Sequence, residues 1–248
     1  MWSLSKKALI SQTSQNWKAI IIGDTSGDKL PGDKFYTIPG DDYNKIEKLE
    51  MSLKFIESWP IKPDYLIRLD DDDIISPVIL SFIAQLPKKY ACYYDSRHAC
   101  IDLVYLKISF GKNLWFANTV IHKYEHAIEK CGKHNQKILL QHHDEYWHKY
   151  YSDKNTYAIP KDKAIYYRIL SPFSITSALS STDTTVKWSE HLTYLNGYGP
   201  WVPLADRFYY YEELKKISQT FFKIKPLRNI FYWILNHIKF LNNRLLNR

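Results

Sequence analysis

Apolar residues recur at helical spacing over residues 2 to 14, where Trp2, Leu4, Ala8 and Leu9 share a face before the polar SQTSQN closes the run. The continuous apolar run in WKAIIIGD predicts a buried strand, TSGDKLPGDK carries loop chemistry, and KFYTI predicts a second strand. Residues 43 to 58 alternate apolar and charged positions with a helical period until Pro60 and Pro63 stop them, and DYLIRLD predicts the next strand. Further along, KYACYYD, CIDLVYLKI and KAIYYRIL predict strands, whereas NTVIHKYEHAIEKC and ILLQHHDEYWHKYY predict helices. Strand, helix and strand in succession, with apolar runs instead of strict alternation, imply an α/β fold whose mainly parallel sheet is covered on both faces. The chain has no internal repeat, so one domain is expected over 1–218, followed by a basic helical tail over 219–248.

Composition changes this picture little. With 248 residues, 45% of them hydrophobic, the chain can bury a sizeable core. The formal net charge is +8, but no acidic residue follows Glu213, whereas eight Lys and Arg do, so the body is close to neutral. Aromatic residues are plentiful, yet they are not interleaved with basic ones in a stacking motif, which argues against nucleic acid as a partner. Cys92, Cys100 and Cys131 are odd in number and lack C-x-x-C spacing, which fits a reducing cytoplasm better than a disulfide framework or a zinc site. The amino terminus lacks the apolar core of a signal peptide, and no stretch reaches the length of a membrane span.

The candidate chemistry lies in YLIRLDDDDIISP, residues 65 to 77. Its plainest explanation is a solvated acidic turn, but a run of four Asp is expected in roughly one chain in two hundred of this composition. Its place at the carboxyl end of an apolar strand is where open α/β sheets bind ligands. Four adjacent carboxylates repel one another, and a hard divalent cation such as Mn²⁺ or Mg²⁺ relieves that conflict while leaving coordination positions for a diphosphate.

At this point the chain resembles the inverting glycosyltransferases of family 2, which have the GT-A fold, a Rossmann-like α/β sheet flanked by helices. ALISQTSQNWKAIIIGDTSGD, RLDDDDIISP, HHDEYW and YYRILSPFSIT stand in the family's order over about residues 8 to 177, and the acidic run is similar to that of a rhamnosyltransferase-like branch. The resemblance implies transfer of a sugar from a nucleoside diphosphate-sugar donor to a hydroxyl of a glycan or lipid-linked acceptor. Carried over by position, Asp70 and Asp72 match the metal-binding D-x-D pair, with Asp72 the preferred ligand and Asp70 facing the ribose or the metal. Asp71 and Asp73 are weaker candidates. Asp24 matches the position that receives a base or ribose hydrogen bond, although Gly23 replaces the first Asp of the family's pair. Asp144 and Glu145 match the acidic pair holding the catalytic base; Asp144 is preferred and Glu145 stays open. Arg168 could pair with a phosphate oxygen, and Leu170 stands where the family often has His. Family members open with a further strand and loop, and this chain starts at the helix after them, so the resemblance implies a sheet without its first strand.

Other features compete. The loop NGYGPWVPL suggests acceptor stacking on Tyr198 or Trp201, or a structural turn. Apolar residues at helical spacing within 226–247, flanked by basic ones, suggest peripheral contact with the inner face of a membrane, or a final helix on the domain's own core. HKYEH at 122 to 126 formally matches H-x-x-E-H, which would need His122 and His126 on one helix face and Glu190 as a third zinc ligand. His142, His143 and His148 are read as surface or packing residues. A catalytically degenerate domain that only binds a nucleotide-sugar or a membrane surface is the main alternative to an enzyme.

Overall fold

The computed structural model describes residues 2–23, 32–40, 42–70, 73–111, 120–132, 135–141, 146–160, 162–171, 195 and 200–222. These fall into two compact units, one within Met1–Ala99 and Phe110–Arg168, the other within Cys100–Ser109 and Ile169–Arg248.

In the first unit, helix α1 (Trp2–Ile10) buries Leu4 and Ala8, two of the residues its periodicity singles out. Ser5 Oγ donates to the Asp73 carbonyl at 2.8 Å, and Gln12 Nε2 donates to the carbonyls of Ala8 and Ser76 at 3.1 and 2.9 Å. Strands β1 (Ala19–Ile22) and β2 (Phe35–Ile38) pair in parallel, as expected. Strand β1 is half-buried along its whole length, however, and not the fully buried strand that its Ile run suggests. Among the described residues it pairs with β2 alone, so its apolar side chains lie in a sheet of only two strands.

Helix α2 (Lys45–Glu57) starts where the sequence provides a cap. Asn44 Oδ1 accepts from the amides of Ile46 and Glu47 at 3.0 and 3.1 Å, and Glu47 Oε2 accepts from the Asn44 amide at 2.8 Å. Its Leu53 packs with Leu66, Ala127, Leu139 and Leu140.

Strands β3 (Tyr65–Ile67) and β4 (Asp73–Ile75) flank the acidic run, and the short helix α3 (Ile79–Ala84) leads to β5 (Cys92–Asp95). CIDLVYLKI, expected as one strand, is instead β6 (Ala99–Asp102), a turn and β7 (Lys107–Phe110). Asp102 Oδ1 accepts from the Val104 amide at 3.0 Å, and Leu106 has a positive φ of 48°, so the turn is set locally against an unbroken apolar run.

NTVIHKYEHAIEKC, expected as a helix, contains strand β8 (Ile121–Lys123) followed by a single helical turn, α4 (Tyr124–Ala127). A short apolar run with β-branched residues fits a strand as well as a helix, and pairing on both edges decides it. Strand β8 lies antiparallel between β5 and β3, and β11 (Thr156–Ile159) is parallel to β5. The paired strands β9 (Lys130–Cys131) and β10 (Gln136–Lys137) follow α4. Among the described residues the second expected helix is a 3-10 turn, Ile138–Leu140, and a helical stretch that runs from Tyr146 through α5 (His148–Tyr151). Residues Tyr166–Arg168 of β12 (Tyr166–Leu170) run antiparallel to β4. The architecture is mixed α/β with parallel and antiparallel pairs, and the expectation of a mainly parallel sheet is corrected.

In the second unit, β13 (Trp201–Pro203) pairs antiparallel with β7, and α6 (Tyr211–Phe222) buries Leu214 and Ser218, whose Oγ donates to the Val104 carbonyl at 3.2 Å. No described helix is long and apolar enough to cross a membrane. The tail from 223 onward, including most of the 226–247 stretch read as a membrane-contact candidate, lies outside the described residues.

Candidate functional site

The acidic run does not form a uniformly solvated turn. Strand β3 ends at Ile67, and the next residue, Arg68, points its guanidinium inward with only 7% of the residue exposed. Asp70 follows, half-exposed, and the Asp73 amide donates back to its carbonyl at 3.3 Å before the chain enters β4. Asp73, the first residue of β4, is 4% exposed. Both ends of the run are therefore fixed by the sheet, while Asp71 and Asp72 lie outside the described residues.

Two cationic side chains flank this run. Lys45, in the first turn of α2, donates to Oδ1 and Oδ2 of Asp70 at 2.7 and 3.0 Å. The capping box at Asn44 sets the start of α2, and so sets where that ammonium sits. Arg168 on β12 stands in register opposite Asp73. Of the expected site residues, Asp73 on β4 and Arg168 on β12 are thus register partners, while Asp70 lies between β3 and β4. Leu170 is fully buried two residues farther along β12.

Arg68 connects this region to another. Its Nη1 donates to the carbonyls of Leu139 and Gln141 at 3.0 and 3.4 Å, and its guanidinium lies 4.7 Å from the centre of the Trp147 ring. Burial lowers the guanidinium to about 10, with Asp70 opposing the shift, so the group stays charged near neutral pH. Trp147 is itself fully buried and donates through Nε1 to the Ile138 carbonyl at 2.7 Å. Asp144 and Glu145, with His142 and His143, lie between Gln141 and Trp147 and outside the described residues, as do Asp24, Tyr198 and Glu190. His148 is exposed, in line with its expected surface role. Trp201 is half-buried on β13 of the second unit and donates through Nε1 to the Leu195 carbonyl at 2.9 Å.

Sequence reasoning passed over four residues here. Lys45 and Arg68 carry a signal in retrospect: one follows a capping Asn, and the other is a charge set inside an apolar strand. Asp95 ends β5 at 2% exposure, accepting the Ile165 amide at 2.8 Å; burial pushes its carboxyl up to about 8, against that hydrogen bond. His98 packs so closely on Gly111 that a Cβ there would come 1.9 Å from the ring, and burial, followed by the nearby Arg168 charge, lowers its pKa.

The H-x-x-E-H reading loses its geometric basis. His122 belongs to β8 and His126 to α4, so the two are not successive positions on one helix face. Each ring is engaged by a tyrosine: His122 Nδ1 lies 2.7 Å from the Tyr151 hydroxyl, and His126 Nδ1 lies 2.8 Å from that of Tyr150. Glu125 is paired with Lys123 at 2.8 Å.

The fit of a divalent cation rests on the donor chemistry. Carboxylate oxygens at a strand end suit Mn²⁺ or Mg²⁺, but both oxygens of Asp70 are engaged by the Lys45 ammonium, which a cation bound there would have to displace or share. Among the described residues no group of three or more His, Cys, Asp or Glu side chains gathers. Comparison with family models and with curated proteins finds no match to this chain.

Proposed function

We propose that the chain is an inverting glycosyltransferase of GT-A type, moving a sugar from a nucleoside diphosphate-sugar to a hydroxyl of a glycan or lipid-linked acceptor. The observation that carries the reading is the Asp70 carboxylate placed just beyond the carboxyl end of β3, the edge at which α/β sheets bind ligands.

In this account Asp24 and Asp70 bind the nucleoside through hydrogen bonds, and Arg168 faces a phosphate oxygen. Asp70 and Asp72 would hold Mn²⁺ or Mg²⁺, which supplies positive charge to the departing diphosphate. Asp144, with Glu145 as the alternative, takes the proton of the acceptor hydroxyl as its oxygen bonds to the anomeric carbon and the bond to the diphosphate breaks. Tyr198 and Trp201 are the acceptor-stacking candidates. Asp144→Ala is expected to retain nucleoside diphosphate binding and abolish transfer; turnover retained in that variant, measured as nucleoside diphosphate release, removes Asp144 as the base.

One observation favours a second reading. Lys45 already balances the charge of Asp70, which suits a degenerate domain that binds the nucleotide-sugar without a metal. Nucleotide affinity that is the same with and without Mn²⁺ would select it.

A further inference from the structure

Arg68 is the one charged side chain in the run Tyr65–Leu69, and its burial demands partners. It finds them in the chain around residue 140. One of its nitrogens donates to the carbonyls of both Leu139 and Gln141, and its guanidinium carbon lies over the Trp147 ring, 4.7 Å from the centre. Gln141 is fixed a second time, because its Nε2 donates to the carbonyls of Cys131 and Gln136 at 2.8 and 3.0 Å. Trp147 is fixed a second time through the Ile138 carbonyl. Gln141 and Tyr146 are the described residues that border 142–145, so one guanidinium touches Gln141, at the near border, and Trp147, one residue past the far border, as anchors of the stretch that carries Asp144 and Glu145. The same residue stands two positions before Asp70.

We propose that Arg68 is a positioning residue that ties the donor-side acidic run to both anchors of the segment holding the candidate base. The inference rests on the glycosyl-transfer reading for its catalytic consequence, while the anchoring is a property of the fold alone. Lysine replaces it poorly, because a compact ammonium is more strongly hydrated and so costlier to bury, and it lacks the delocalised guanidinium that lies over the Trp147 ring.

The test compares Arg68→Met and Arg68→Lys with the unmodified full-length chain in three readouts. These are calorimetric binding of UDP, GDP and dTDP with Mn²⁺, release of nucleoside diphosphate from UDP-glucose, GDP-mannose and dTDP-rhamnose with water as acceptor, and amide hydrogen exchange. For Arg68→Met, affinity for whichever nucleotide binds is expected within about threefold of the unmodified chain, with release down at least about tenfold. Exchange is expected to quicken at Leu139–Gln141 and Trp147. Arg68→Lys, which keeps the charge, should lose release with the same split and serves as the reference if Arg68→Met fails to fold.

Unchanged release, or affinity falling in step with release, overturns the positioning role. Unchanged exchange overturns the anchoring. An unmodified chain that binds none of the nucleotides refutes the glycosyl-transfer reading and the catalytic role with it, and the exchange measurement still decides the anchoring.

Discussion

Single residues carry most of the testable electrostatics. The Asp95 carboxyl ionises at about 8 in the folded chain and near 4 when unfolded, so between those values the folded state holds a proton that the unfolded state has released. Stability therefore declines as pH rises from about 4 to about 8 and levels off beyond. Asparagine keeps the acceptor for the Ile165 amide and cannot ionise. Asp95→Asn should gain up to about 5 kcal/mol over the native residue at pH 9, from about four pKa units at about 1.4 kcal/mol each, with the gain shrinking as pH falls and gone only below about pH 4. Thermal melts of both proteins across this range read the difference, and parallel curves would contradict the assignment. His122 acts on the opposite side: burial, aided by the Arg68 charge, lowers its pKa, so its contribution holds above about 6.5 and is lost as pH falls below it. At Gly111, a methyl group has no room beside the His98 ring, and Gly111→Ala should cost about 1–3 kcal/mol, measured by denaturant unfolding. A cost near zero would mean that the ring moves aside freely.

Elements show where local sequence sufficed and where it did not. Helix α2 was legible because Asn44, Glu47 and the helical period of residues 45–57 agree, and Asn44→Ala is expected to lose about 1 kcal/mol in urea unfolding. No change would show that the box is redundant with packing. Strands β2, β3, β5 and β12 were legible from their apolar, β-branched and aromatic runs. Strand β8 was not, because Ile121–Lys123 gains its strand character from hydrogen bonding to β3 and β5, which lie far away in sequence. The hairpin of β6 and β7 was missed because Leu103–Leu106 turns without Gly or Pro, through an Asp102 side chain. Strand β1 looked like core but belongs to a two-stranded sheet, so Ile21→Ala should cost less than Ile74→Ala, for which about 2–5 kcal/mol is expected at a fully buried site. Equal losses in denaturant unfolding would indicate that β1 is as well covered as β4.

For the molecule as a whole, the site was legible in outline: the sequence pointed to the end of β3, and the structure fixes Asp70 there, with Arg168 on the strand that pairs with β4. Lys45 and Arg68 leave only a faint local signal, because their meaning lies in the partners they reach, 25 and 71 residues away. The proposed function turns on the acidic run binding a nucleoside diphosphate through a divalent cation. Calorimetric titration of UDP, GDP and dTDP into the full-length chain, with and without Mn²⁺ and repeated on Asp72→Ala, tests it most directly. At least one nucleotide should bind in a way that needs Mn²⁺ and disappears in Asp72→Ala; binding that ignores both the metal and the substitution, or no binding at all, refutes the metal-dependent site.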